Sequence, residues 1–374
     1  MPSRYPYRNG TLSNVALGLL FFIALTALLI VETNKRYRPD SLHAEKVAAI
    51  KLMQRSVAII KTEKIRSGIR IDPLIDINGT GMIGERYNDL TTTVGSLPSK
   101  RTTTNPSFAA AMVEMLAKAD VHRGDSVAIS FSSSFPALNV AVLSAVHSLG
   151  LKPVIISSVG ASMYGANHPS MTWLDMESLL EKKGVFSYRS VAASLGGISD
   201  TMGGIDGTGI ESGLLSIRRN NVSFLDEGGI STQRNDIRRR LDLYSIMLKG
   251  LKPAAFINVG VSQTSLGSSP EAYKLPTGLL KHVYASDDPE KGIIFHMQEQ
   301  GIPVIHLLKI KNLAKQFGIP FDPVSLSKSA HVAVITGSGY SRPAAIFALL
   351  VLFSFMALLN FWKSSIGTGK KKKS

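Results

Sequence analysis

The chain has 374 residues and 44% hydrophobic content, enough for one large domain or two of ordinary size with a packed core. It contains no cysteine, which excludes disulfides, thiolate nucleophiles and Cys-ligated metal centres. Its formal charge of +15 sits largely at the ends: residues 1–38 and 363–374 hold ten of the 42 Lys and Arg against one acid, Glu32, so a nucleic-acid partner is not expected.

Those basic ends flank the two most apolar runs. The first, VALGLLFFIALTALLIV from Val15 to Val31, lies in an uncharged span that starts at Asn9. That span of 23 residues exceeds the roughly 20 a helix needs to cross a bilayer. A cleavable signal peptide is the rival reading, with Arg4 and Arg8 as its basic start and Ala27 ahead of a cut, but the apolar run is longer than a usual signal core. The second run, AAIFALLVLFSFMALLNFW from Ala344 to Trp362, ends on an aromatic suited to a membrane interface. Arg4, Arg8, Lys363 and Lys370 to Lys373 outnumber Lys35, Arg36, Arg38 and Arg342, which predicts cytoplasmic termini and an extracytoplasmic body. The expected organisation is a basic segment and membrane helix over 1–38, an α/β domain over 39–340, and a second membrane helix with a basic tail over 341–374.

Between the anchors, apolar residues at Leu42, Val47, Ile50, Met53, Val57 and Ile60 predict an amphipathic helix from Ser41 to Arg66, ended by Gly68. It suits the domain core or a membrane surface, core packing being the plainer use. Residues 69–107 are rich in Gly, Thr, Ser and Pro and include GTGMIG, a G-x-G-x-x-G pattern at Gly79, Gly81 and Gly84. PLIDIN before it suits a strand, but ERYNDL after it is a poor packing helix, so the pattern reads as a turn and no nucleotide cofactor is expected.

From Gly124 the pattern is regular: VAISF as a strand, Ser132 to Ser134 as a loop, PALNVAVLSAVHSLG as a helix and KPVIISS as a second strand. Strand-like runs at VSFL, PAAFIN, PVIHL and HVAVIT follow, with helix-like stretches such as STQRNDIRRRLDLYSIMLKG between them. This alternation predicts an α/β fold with a mainly parallel sheet and flanking helices, tethered by two terminal transmembrane helices.

One phrase recurs. LKPVIISSVGAS (151–162) and LKPAAFINVGVS (251–262) each turn the chain after a helix-ending glycine, enter a buried strand and leave through Val-Gly-x-Ser. Ligands in open α/β sheets bind beyond the carboxyl ends of strands, so Ser157, Ser158, Gly160 and Ser162 in the first copy and Gly260 and Ser262 in the second are candidate ligand-binding positions facing one crevice. Shared α/β grammar also produces such likeness without common function.

Ser132, Ser133 and Ser134 precede a helix N-terminus, where hydroxyls and backbone N–H groups hold anions or simply cap the helix. Lys100 and Arg101, with Arg218, Arg219, Arg234, Arg238, Arg239 and Arg240, suit an anionic polymer if several act together, or a solvated face. No G-x-S-x-G or H-E-x-x-H is present, and SLSK at Ser325 lacks the partner motifs that give S-x-x-K meaning, so no catalytic residue and no metal site are assigned. Thr172 reads as a helix cap partnered by Asp175, while Glu177, Asp200, Asp206 and Glu211 are further acids.

The runs TTTVGSLPSKRTTTNPSFAA (91–110), SFPALN (134–139), SSVGASMYGANHPSMTWLDME (157–177) and RSVAASLGG (189–197) resemble the poly-γ-glutamate system proteins, a membrane-associated family. The resemblance implies a membrane anchor and work alongside the machinery that makes and exports poly-γ-glutamate, with membrane lipid, the polymer or its synthase as partners. It supplies no catalytic residues. Three readings stay open: an accessory that binds or organises the polymer or the synthase, a serine-dependent amidohydrolase or transpeptidase acting on it, and a scaffold that touches no polymer.

Overall fold

The computed structural model describes residues 14–33, 36–39, 41–197, 200–202, 207–225, 232–326, 336–339 and 341–369. The chain divides into two compact units, Met1–Pro39 with Thr336–Ser374, and Asp40–Ile335.

In the first unit, helix α1 (Asn14–Thr33) leads into strand β1 (Arg36–Pro39). Strand β13 (Thr336–Gly339) pairs antiparallel with β1, Arg36 opposite Gly339, and feeds helix α12 (Arg342–Gly369). The two helices pack together, with Ala27 and Ala348 buried where small side chains permit close approach. Large apolar side chains such as Phe21, Leu28, Phe347 and Phe353 are exposed on both. Helix α1 is long and apolar enough to cross a membrane, which a signal sequence also satisfies; the apolar stretch of α12 among the described side chains, Pro343–Leu359, is shorter.

The second unit runs α2 (His43–Arg66), β2 (Thr91–Thr93), α3 (Leu97–Thr103), α4 (Ser107–Lys118), β3 (Ser126–Ser132), α5 (Pro136–Leu149), β4 (Lys152–Ser158), β5 (Ala161–Ser162), β6 (Asn167–His168), β7 (Met171–Thr172), α6 (Trp173–Lys182) and β8 (Ser190–Ser194). It continues through α7 (Gly207–Arg219), β9 (Ser223–Phe224), α8 (Gln233–Met247), β10 (Ala255–Val259), α9 (Gln263–Leu266), β11 (Gly278–Leu279), α10 (Ile293–Glu299), β12 (Val304–Leu307) and α11 (Ile310–Gln316).

The main sheet has seven strands in the order β11-β12-β10-β3-β4-β8-β9, parallel except for edge strand β11. The chain travels outward from β3 through β4 and β8 to β9, then returns to place β10 on the other side of β3. That reversal makes the β3/β10 boundary a topological switch point, where α/β sheets open a crevice at their carboxyl ends.

Successive side chains alternate faces. Val127, Ile129, Phe131, Ile257 and Ile305 pack toward α2, α4, α5 and α6, whereas Ala128, Phe256 and Val304 pack toward α8 and α10. Helix α2 joins the first layer through Ala49, Ile50, Met53 and Ile60, so its apolar stripe serves the core. Thr172 and Asp175 form the expected capping box of α6, and Arg219 clamps the same carboxylate, its Nε 2.8 Å from Oδ1.

Several expectations are corrected. PLIDIN is a series of turns: Pro73 fixes one φ, Asp72 accepts backbone N–H bonds from Leu74, Ile75 and Asp76, and Leu74 is exposed. Within VSFL only Ser223–Phe224 are strand. The glycine pattern, by contrast, opens no helix, as expected: Gly84 sits where an added Cβ would lie 1.9 Å from the Gly165 carbonyl oxygen, and the chain after it is irregular up to β2. Strand β8 was not anticipated, because its Ala and Ser residues lack a strong apolar alternation. Residues 331–335 of HVAVIT, together with Asp206, Lys328 of SLSK and the basic residues Arg4, Arg8, Lys35 and Lys370 to Lys373, lie outside the described residues.

Candidate functional site

A cavity of about 560 Å3 opens at the switch point. Its wall takes Ser132, Ser134 and Phe135 from the end of β3, Ser158, Gly160 and Ser162 from the end of β4, and Val261, Ser262 and Gln263 from the end of β10. The twin Val-Gly-x-Ser turns therefore share one rim, flanking the loop that leaves β3. Thr92 and Thr93 of β2, Val94 to Ser96 after it, Gly196, Gly197, Tyr273 and Leu308 complete the wall, and Lys100 enters it from α3.

The local sequence explains this convergence. Strand β2 lies parallel to β5, Thr93 opposite Ser162, and Met163 N–H donates to the Thr93 carbonyl at 2.9 Å. Gly160 is required for that approach, since a Cβ there would stand 2.5 Å from Thr92 Cγ2. Ser96 caps α3 by accepting the Ser99 N–H, and one turn later Lys100 is directed inward.

Lys100 is 2% exposed. Its Nζ bonds the Ser134 carbonyl, lies 2.7 Å from Ser162 Oγ, and stands 3.8 Å from the centroid of the Phe135 ring. Among the described residues no carboxylate bonds it, and burial alone pulls its pKa down to about 7. Ser134 Oγ accepts the Ser162 N–H at 3.0 Å, fixing the backbone that carries the second hydroxyl. Ser134 N–H in turn donates to Ser132 Oγ at 3.1 Å, and Ser262 Oγ lies 2.6 Å from Thr264 Oγ1.

Four of the expected positions do not face the cavity. Ser157 follows Ile156 by one residue and so points to the opposite side of the sheet, 2.6 Å from Ser190 Oγ, which donates to buried Glu177. Burial pushes the Glu177 carboxyl up to about 7, against the lowering effect of the two Ser190 hydrogen bonds. Ser133 is fully buried and donates to the Ser158 carbonyl at 2.7 Å, tying β3 to β4. Gly260, with φ of +82°, allows close approach: a Cβ there would be 3.1 Å from Ser132 Cβ. Arg101 lies next to Lys100 on α3 but about 100° around the helix, and donates to the carbonyls of Leu74 and Ile75 at 2.7 Å.

The remaining charged candidates are mostly structural. Buried Arg240 bonds Asp200 and donates to Ser194 Oγ at 2.7 Å, so the glycine-rich run is tied to the sheet through an ion pair. Arg239 donates to the Leu225 carbonyl, while Arg218 and Arg234 are exposed. A wider cleft of about 940 Å3 lies between α2 and α6, but Arg66 and Arg219 in its wall are neutralised by Glu63 and Asp175, and its Arg55, Lys182 and Lys183 are exposed to solvent. The switch-point cavity is the stronger candidate because its amine is both buried and without a carboxylate partner among the described residues. Among the described residues no group of His, Asp and Glu is placed to hold a metal ion.

Sequence reasoning included Lys100 as one of several polymer-facing cations and missed its pairing with Ser162, as well as the roles of Thr92, Ser96 and Phe135. The usable signal was a lysine in a short Ser- and Thr-rich helix with no acid within reach along the chain.

No family model and no curated protein matches the chain. Among solved structures, the crystal structure of an archaeal alanine:glyoxylate aminotransferase aligns at 10% identity over 90% of this chain and 69% of that chain, with a TM-score of 0.17, a level that carries no argument about fold or chemistry.

Proposed function

We propose that the chain is a membrane-anchored accessory component of poly-γ-glutamate biosynthesis or export, with an extracytoplasmic α/β body that binds the polymer in the switch-point cavity. The observation that carries this reading is Lys100, a buried amine whose ammonium form has no carboxylate partner among the described residues, set among hydroxyl groups. Poly-γ-glutamate offers one carboxylate per residue, which is the missing counter-charge, and a carboxylate in that cavity gains charge-assisted hydrogen bonds. The likeness of 91–110, 134–139, 157–177 and 189–197 to the poly-γ-glutamate system proteins points the same way.

Two membrane spans are part of the proposal. Apolar side chains exposed along both α1 and α12, and the excess of Lys and Arg at the two termini, support a two-pass anchor with cytoplasmic ends. The full chain is then expected in the membrane fraction after carbonate washing, and recovery in the soluble wash would reject the anchor.

The ligand assignment is tested with synthetic γ-linked glutamate oligomers and the full chain in nanodiscs. Binding that weakens with salt and falls at least about tenfold in Lys100→Gln is expected, since losing one charge-assisted contact costs ~1.5–3 kcal/mol. Equal binding by wild type and variant would reject the cavity as the site. A second reading, an extracytoplasmic amidohydrolase or transpeptidase acting on the polymer, has one observation in its favour, the 2.7 Å pairing of Lys100 with Ser162.

A further inference from the structure

We infer that Ser162 and Lys100 form an acyl-transfer centre, Ser162 as nucleophile and Lys100 as general base, acting on a γ-glutamyl amide held in the switch-point cavity. The substrate class rests on the polymer-binding reading above; the nucleophile–base pair rests on its geometry and on the burial of the amine.

Ser162 Oγ lies 2.7 Å from Lys100 Nζ, within proton-transfer distance, and both groups line the same cavity. The pair is rigid. Lys100 Nζ is fixed by the Ser134 carbonyl and the Phe135 ring, and Ser162 is fixed by Ser134 Oγ and by its pairing with Thr93. A deprotonated amine that gives one N–H to the Ser134 carbonyl can turn its lone pair to the Ser162 hydroxyl proton. Burial holds the Lys100 pKa at about 7, so that form is populated at neutral pH. Tyr273 is the other titratable group on the described wall.

The chemistry balances with water or an amine as the co-reactant. Ser162 Oγ bonds the amide carbonyl carbon as its proton passes to Lys100 Nζ. The C–N bond then breaks, Lys100 returns that proton to the leaving amine, and an ester remains on Ser162. Water attacks the ester to release a carboxylic acid, or the amine end of another chain attacks to form a new amide. In each case the attacking group's proton goes to Lys100 and then to Ser162 Oγ as it leaves. Hydrolysis shortens the polymer, and transfer to an amine rejoins it.

The test uses the full chain in nanodiscs, a fluorophosphonate probe and a synthetic γ-linked glutamate pentamer. Expected are a single phosphonyl adduct mapped to Ser162 and altered pentamer lengths by mass spectrometry. The labelling rate should rise about tenfold per pH unit up to about 7 and then level off. Ser162→Ala should remove the adduct, and Lys100→Arg, which keeps the charge but cannot lose its proton, should slow labelling at least ~100-fold. Thermal unfolding of both variants separates lost chemistry from lost structure. Pentamer binding by wild type with neither adduct nor change in length overturns the acyl-transfer centre and leaves the binding reading standing. An adduct at Ser162 without pentamer binding supports the nucleophile and overturns the polymer as its substrate. Absence of adduct, turnover and binding together overturns both.

Discussion

Lys100 Nζ and Ser162 Oγ stand 2.7 Å apart across 62 residues of sequence, brought together because β2 and β5 pair beside the switch point of the main sheet. The position is costly for an ammonium, and that cost is measurable. Folding lowers the Lys100 pKa from 10.5 to about 7, so between those values the unfolded chain holds a proton that the folded chain lacks. Stability therefore rises with pH across this window, and the full penalty is felt below about 7. Between pH 7 and 9 the Lys100 contribution is on the order of 2–3 kcal/mol. Lys100→Met should flatten that part of the pH dependence in urea unfolding of the full chain, leaving the contribution of Lys64, whose pKa burial lowers to about 8.

His306 on β12 imposes a constraint of the same sign at acid pH. It is fully buried, accepts a hydrogen bond from Asn258 Nδ2 at 3.0 Å on Nδ1, and is held neutral, burial and nearby Lys309 bringing its pKa down to about 4. Between pH 6.5 and about 4 the unfolded state takes up the proton first, so stability falls as pH falls. His306→Leu should lose ~2–3 kcal/mol less than wild type between pH 7 and 4.5. Parallel pH curves for the two proteins would show that this ring does not govern the acid transition.

Arg240 and Asp200 hold the glycine-rich segment against α8. Arg240→Met leaves a buried carboxylate with only Ser194 Oγ, 2.8 Å away, and should cost ~3–5 kcal/mol. Adding Asp200→Asn removes the stranded charge and should recover more than half of that loss. Denaturant midpoints of the wild type, both single variants and the double variant complete the cycle.

Much of this architecture was legible. Short continuous apolar runs alternating with helical stretches identified β3, α5, β4, β10 and β12, and the repeated Val-Gly-x-Ser placed two turns on one rim because both leave the carboxyl ends of parallel strands. Which serine faces the cavity was not legible. Ser157 and Ser158 differ by one position and face opposite sides, a choice made by which layer of helices covers each face. Lys100 and Arg101 separate for the same kind of reason on a helix. The pairing of Lys100 with Ser162 depends on β2 and β5, of three and two residues, too short to leave a periodic signal.

Hydrogen-exchange mass spectrometry on the full chain in nanodiscs, with and without a saturating γ-linked glutamate oligomer, tests the cavity most directly. Protection is expected in residues 91–104, 158–165 and 260–264, three of the segments that wall it. Protection confined to 55–67 and 170–183, which line the other cleft, or no change at any segment, would contradict the assignment.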